Sequence, residues 1–117
     1  MSSDEQQQLI NNSSSETITV SLATRQVFVK QSELQLTGLE YNLLTLLLDK
    51  SPDVVPYQSI AEQVFAQAYA NCKASLCTHI CHLRAKLAAI DSNWVIKSIR
   101  GQGYYLVNQQ LSDINRP

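Results

Sequence analysis

The chain has 117 residues, 44% of them apolar, a size and composition that suit one globular domain with a real core. Its longest leucine run, Leu46-Leu47-Leu48, is far too short to span a bilayer, and no basic segment followed by an apolar stretch marks a secretory signal. The formal charge of −1 argues against a nucleic-acid ligand, but its distribution does not. Residues 1–70 carry three cations against eight acids, whereas residues 71–105 carry Lys73, Arg84, Lys86, Lys97 and Arg100 against Asp91 alone. Such asymmetry points to an anionic partner for the basic half. The three cysteines, Cys72, Cys77 and Cys81, cluster on one segment and make a poor disulfide framework, which suits a reducing cytoplasm.

Residues 1–16 are dominated by Ser, Gln and Asn and read as a disordered lead or linker. The domain is expected over 17–107, with 108–117 as a tail. Ile18, Val20 and Leu22 alternate with Thr19 and Ser21 as a first strand; Val27 and Val29 flank Phe28 in a second; Leu34 and Leu36 mark a third. Thr37-Gly38-Leu39-Glu40 has the spacing of a capping box, in which Thr37 and Glu40 satisfy each other's backbone N–H. It opens a helix carrying Tyr41, Leu43, Leu44, Leu47 and Leu48, which Pro52 ends.

Pro56 suits the start of a second helix that buries Ile60, Ala61, Val64 and Phe65, and residues 66–73 then lose periodicity and read as a loop. A third helix, Ala74 to Ala89, puts Leu76, Ile80, Leu83, Leu87 and Ile90 on one side and Ala74, Ser75, Thr78, Cys81, His82 and Ala85 on the other. Finally, two β-branched or aromatic runs within Trp94 to Val107 flank Arg100-Gly101-Gln102-Gly103 and read as a hairpin, with positive φ expected at Gly101 and Gly103. A helix can enter the major groove while a basic hairpin tip reaches backbone or minor groove.

The stretches LTGLEYNLLTLLL (36–48), VVPYQSIAEQVF (54–65), HICHLRAKL (79–87) and IKSIRGQGYYLV (96–107) resemble, in order and spacing, the OmpR/PhoB-type winged-helix family of bacterial transcription regulators. The resemblance covers about Ile18 to Val107. It implies an α+β winged helix-turn-helix: a small N-terminal antiparallel sheet, three helices and a C-terminal hairpin wing. It also implies a partner, double-stranded DNA, with the third helix (about 73–89) in the major groove and the wing (about 94–107) at the minor groove. Arg100 matches the wing arginine, Ser98 a backbone-contacting hydroxyl and Tyr104 the aromatic that closes the wing. His79, Arg84 and Ser75 match recognition-helix positions, and Thr78 stands where relatives often meet a thymine methyl with valine. Ala74, Cys81, His82 and Ala85 occupy places where relatives carry basic residues. His82 nevertheless keeps a polar group on the face, and Lys73, Lys86 and Lys97 supply further cations. The loop at 66–73 is the implied contact for RNA polymerase or a second protomer, the domain being a monomer alone and a dimer on DNA.

Other chemistries fit the residues less well. Cys77 and Cys81 are neighbours at i, i+4, but His79 lies about 160° from them around the helix, so no tetrahedral metal set forms. No nucleophile triad is defensible on a single helix, and the glycines lead into no phosphate-cradling helix. No metal, cofactor or enzymatic activity is therefore expected. Two readings remain: a DNA-binding effector domain, favoured by Arg100, Lys97, Lys73, Arg84 and Lys86, and a winged helix turned protein-interaction module, favoured by the lost basic residues. The polar lead suits a linker after a receiver domain. An initiating Met1 suits a ToxR/CadC-like arrangement, in which this is the cytoplasmic part of a membrane-anchored regulator.

Overall fold

A computed structural model describes residues 18–90 and 92–109 of the chain. The expected lead at 1–16, Thr17 at the start of the expected domain, Asp91 and residues 110–117 lie outside the described residues. Strands β1 (Ile18–Ser21), β2 (Gln26–Val29) and β3 (Ser32–Leu34) form an antiparallel sheet in sequential order. Val27, Val29 and Leu34 face the core. The first strand is shorter than its alternation predicts: Leu22 falls in the β1–β2 turn and is 80% exposed. Leu36 lies past the end of β3 and packs half-buried against the core.

Helix α1 (Gly38–Lys50) begins at the expected capping box. Glu40 N–H donates to Thr37 Oγ1 at 3.2 Å, and Thr37 N–H donates to Glu40 Oε1 at 3.1 Å. Tyr41, Leu43, Leu44 and Leu47 are its buried face. At its far end the Ser51 hydroxyl donates to the Leu106 carbonyl at 2.6 Å, tying α1 to the C-terminal sheet.

The segment after α1 departs from the sequence reading. Val55–Pro56 form a short strand, β4, which pairs with the outgoing arm of the hairpin, and the helix starts one residue later at Tyr57. Helix α2 (Tyr57–Ile60) runs directly into a π-helical turn, Ala61–Phe65, that ends in left-handed Ala66 at φ 57°. The expected loop at 66–73 shrinks to three residues, because helix α3 spans Tyr69–Ala89 with a break in helical geometry at Cys72. Gln58 explains the early start: its side-chain oxygen accepts the Tyr69 N–H at 3.1 Å, giving α3 an N-terminal cap from α2 that no local pattern reveals.

Strands β5 (Trp94–Ile99) and β6 (Gly103–Asn108) make the hairpin, and β4 turns it into a three-stranded sheet of order β4-β6-β5. Asn108 is still paired, opposite Trp94, so β6 runs one residue past Val107. The turn residue Gly101 has φ +77°, as its position demands. Gly103 does not: it serves space instead. A β-carbon there would stand 1.9 Å from the Val55 carbonyl oxygen, because β4 crosses directly above it.

Replacing Gly103 with alanine is therefore expected to destabilise the domain by about 1–3 kcal/mol, as backbone must shift to admit the methyl. Chemical denaturation checks it, and an unchanged midpoint would mean that β4 does not hold this register.

Candidate nucleic-acid interface

One side of α3 is a continuous apolar seam of Cys72, Leu76, Ile80, Leu83 and Leu87, all buried. Helical periodicity then leaves Ala74, Ser75, Cys77, Thr78, Cys81, His82 and Ala85 exposed. The exposed face is set by what holds the helix at its two ends and its middle.

In the middle stands Glu40, 2% exposed and the acidic member of the α1 capping box. Lys86 Nζ lies 2.5 Å from its Oε1 and also donates to the Gln35 carbonyl at 2.6 Å. His82 Nδ1 lies 3.5 Å from Oε2. Burial alone would raise the Glu40 pKa. The Lys86 hydrogen bond, the Thr37 N–H and the charges of Lys86 and His82 outweigh it and hold the carboxyl below its usual value. Two residues expected at the DNA surface are thus engaged within the fold: Lys86 is half-buried in an ion pair, and His82 leans toward the same carboxylate while staying exposed.

At the wing end, Arg84 Nε donates to the Ile96 carbonyl at 2.9 Å, and its guanidinium sits 5.9 Å from the Tyr104 ring centre. That bond uses one of five N–H donors, so Arg84 joins helix to hairpin and keeps donors in reserve. Tyr104 packs edge-on against Tyr57 at 5.4 Å, and Tyr57 stacks on Tyr69 at 4.8 Å. Tyr57 N–H donates to the Gln102 carbonyl at 3.0 Å, so α2 also grips the base of the wing. Burial, then neighbouring Cys77, Tyr57 and Tyr69, push the Tyr104 phenol above its usual pKa, which keeps it neutral. This tyrosine cluster was not legible in sequence, since its members lie on three elements.

The other expected residues divide clearly. His79 is half-buried, with Nδ1 2.6 Å from the Ser75 carbonyl and its ring against Phe65 at 5.6 Å. Ser75 and Thr78 are exposed. Lys73 is exposed beside the Tyr69 ring, at 5.8 Å. Lys97, Ser98 and Arg100 are exposed along β5 and at the wing tip, and among the described residues no carboxylate pairs with Lys97 or Arg100. Cys72 is buried, with its thiol toward the Ala68 carbonyl. Cys77 and Cys81 are exposed free thiols.

The profile of the family described as "Transcriptional regulatory protein, C terminal" matches residues 31–106. The chain belongs to this family. It is a family of transcription regulators and not of enzymes. A probable transcriptional regulator ycf27 of Galdieria sulphuraria is 32% identical over 101 residues, covering 83% of this chain and 38% of that protein. The transcriptional activator protein PfeR of Pseudomonas aeruginosa is 33% identical over 76 residues, covering 64% of this chain and 25% of its own length. The chain thus spans well under half of these two relatives.

Among solved structures, the DNA-binding domain of CpxR from E. coli superposes with a TM-score of 0.68 at 26% identity, covering 79% of this chain and 91% of that one. The Klebsiella pneumoniae RstA DNA-binding domain, solved in complex with the RstA box, gives 0.67 at 21% identity, covering 78% and 91%. The winged-helix fold expected from the sequence is the fold observed.

Because the folded Glu40 pKa lies below the unfolded one, unfolding takes up a proton between the two. Its contribution to stability is complete above about pH 4.3, the ordinary glutamate value, and is lost as pH falls through the lower folded pKa. Glu40→Gln is expected to flatten the acid limb of a stability-versus-pH curve. An acid limb unchanged by the substitution would place the pH dependence elsewhere.

Proposed function

We propose that this domain is the double-stranded-DNA-binding effector of a transcription regulator, with α3 in the major groove and the β5–β6 wing at the minor groove. The observation that carries the reading is the joint between them. Arg84 and Tyr104 lock helix to hairpin, while Ser75, Thr78, Cys81 and His82 stay exposed on one and Lys97 and Arg100 on the other. Phosphate contacts are assigned to Lys73, Ser75, Lys97 and Ser98, with the remaining donors of Arg84 added. Thr78 offers a methyl and a hydroxyl to base edges. Arg100 at the wing tip suits a narrow, electronegative minor groove. Lys86, His79 and Tyr104 act behind this surface by holding the helix and wing in place, and His82 reaches DNA only at the rim of the Glu40 pair.

In this reading the domain works in the cytoplasm, beside a receiver domain or as the cytoplasmic part of a membrane-anchored regulator. It is a monomer alone and pairs on repeated half-sites. The exposed three-residue loop Ala66-Gln67-Ala68 replaces the longer 66–73 stretch as the surface offered to a second protomer or to RNA polymerase.

Four cations at the surface give log affinity a slope against log salt of about −3 to −4, at about −0.9 per phosphate neutralised. Lys86→Met should leave that slope unchanged, whereas Lys97→Met should shallow it by about one. Arg100→Ala should weaken binding by about 1–3 kcal/mol, more than His82→Ala does. Gel shifts at matched salt read all four variants. A flat salt response, or no shift of any duplex at low salt, would overturn the DNA reading in favour of a protein-interaction module.

A further inference from the structure

The C-terminal half of α3 and the outer strand of the second sheet form a cleft of about 320 Å³. Leu87 and Ala88 line it from the helix, and Trp94 and Ile96 line it from β5. Leu87, Trp94 and Ile96 are buried and make an apolar floor, whereas Ala88 is exposed at the rim. The charged lining residues are both cationic, Arg84 and Lys97. Both are exposed, and among the described residues no carboxylate pairs with either.

A phosphate needs the two cations but not the apolar floor beside them. Floor and rim together are complementary to a ligand with an apolar body and one anionic end. The volume lies at the small end of the range for ligand sites, roughly 300–1,000 Å³, so the body must be small. Arg84 Nε is held by the Ile96 carbonyl at 2.9 Å, which positions the remaining guanidinium N–H groups at the rim before any ligand arrives. A carboxylate suits these donors: its two oxygens can take one N–H from Arg84 and another from Lys97. Among apolar bodies an arene is favoured. It can meet the Trp94 ring edge-to-face or offset. Being rigid, it also loses less conformational freedom on entry than an alkyl chain of similar size.

We propose that this cleft binds a small aryl carboxylate, its ring on Leu87, Trp94 and Ile96 and its carboxylate between Arg84 and Lys97. The bound acid neutralises two cations that the proposed function assigns to phosphates, so it lowers DNA affinity. This consequence rests on the DNA reading; the binding itself does not.

Two measurements on the full chain separate them, with 2-naphthoate as the probe. Trp94 is the only tryptophan, so its indole N–H resonance is unambiguous. Titration with 2-naphthoate should shift that resonance in a saturable way. The neutral 2-naphthamide should bind about fivefold more weakly, and Lys97→Met should reduce that preference. Ala88→Phe fills the cleft from an exposed position, leaves both cations in place and should abolish the saturable shift. In gel shifts with mixed-sequence duplex, saturating 2-naphthoate should shallow the salt slope by about two, as two cations leave phosphates. In Ala88→Phe the slope should not respond to the acid. No saturable shift, equal binding of acid and amide, or a shift that survives Ala88→Phe would each overturn the site. Tighter binding of octanoate than of 2-naphthoate would overturn the choice of an arene. A saturable shift with an unchanged salt slope would overturn the control of DNA affinity. Failure to bind any duplex would remove the DNA reading, and the indole titration would still decide the site.

Discussion

The Glu40 carboxylate joins the two helices on which the interface is built. It begins as a local device, closing the capping box at the start of α1. It then meets Lys86 and His82, on α3, across the core. An ion pair of a buried carboxylate and a half-buried ammonium adds little net stability over an apolar substitute, because the carboxylate leaves water and the ammonium partly does. Its effect is conditional: with one partner gone, the other is a stranded charge costing several kcal/mol. Only rotations of α3 that keep Lys86 and His82 toward α1 are compatible with the fold, and these turn Ser75, Thr78 and Cys81 outward.

A second set of contacts fixes the wing relative to the helix. Arg84 reaches the Ile96 carbonyl, Tyr57 reaches the turn through Gln102, and β4 fills the space that only Gly103 leaves open. The tyrosines at 57, 69 and 104 pack these pieces into one unit. The helix face and wing tip are therefore presented as a rigid pair, which suits simultaneous engagement of two grooves.

Sequence periodicity carried most of the fold. The capping box, the apolar face of α1 and the Leu76-Ile80-Leu83-Leu87 seam were legible because each is a local pattern with a fixed period. What escaped depends on partners far along the chain. β4 is two residues long and exists only because Tyr104 and Gly103 pair with it. The early start of α3 depends on Gln58, eleven positions before Tyr69. Lys86 reads as one more surface cation until Glu40, 46 positions away, is seen to hold it. Arg84 likewise reads as surface charge, but Ile96 claims its Nε. A charge pattern marks the basic half of the chain correctly; it does not distinguish cations that face solvent from those that organise the fold.

The account turns on the coupling between Glu40 and Lys86. A double-mutant cycle of Glu40→Gln and Lys86→Met, read by denaturant unfolding at neutral pH, measures it directly. The predicted result is a coupling energy of about 1–3 kcal/mol, with each single variant losing more than its share of the double. Single-variant losses that simply add, within about 0.5 kcal/mol, would contradict the claim that this carboxylate sets the orientation of the recognition helix.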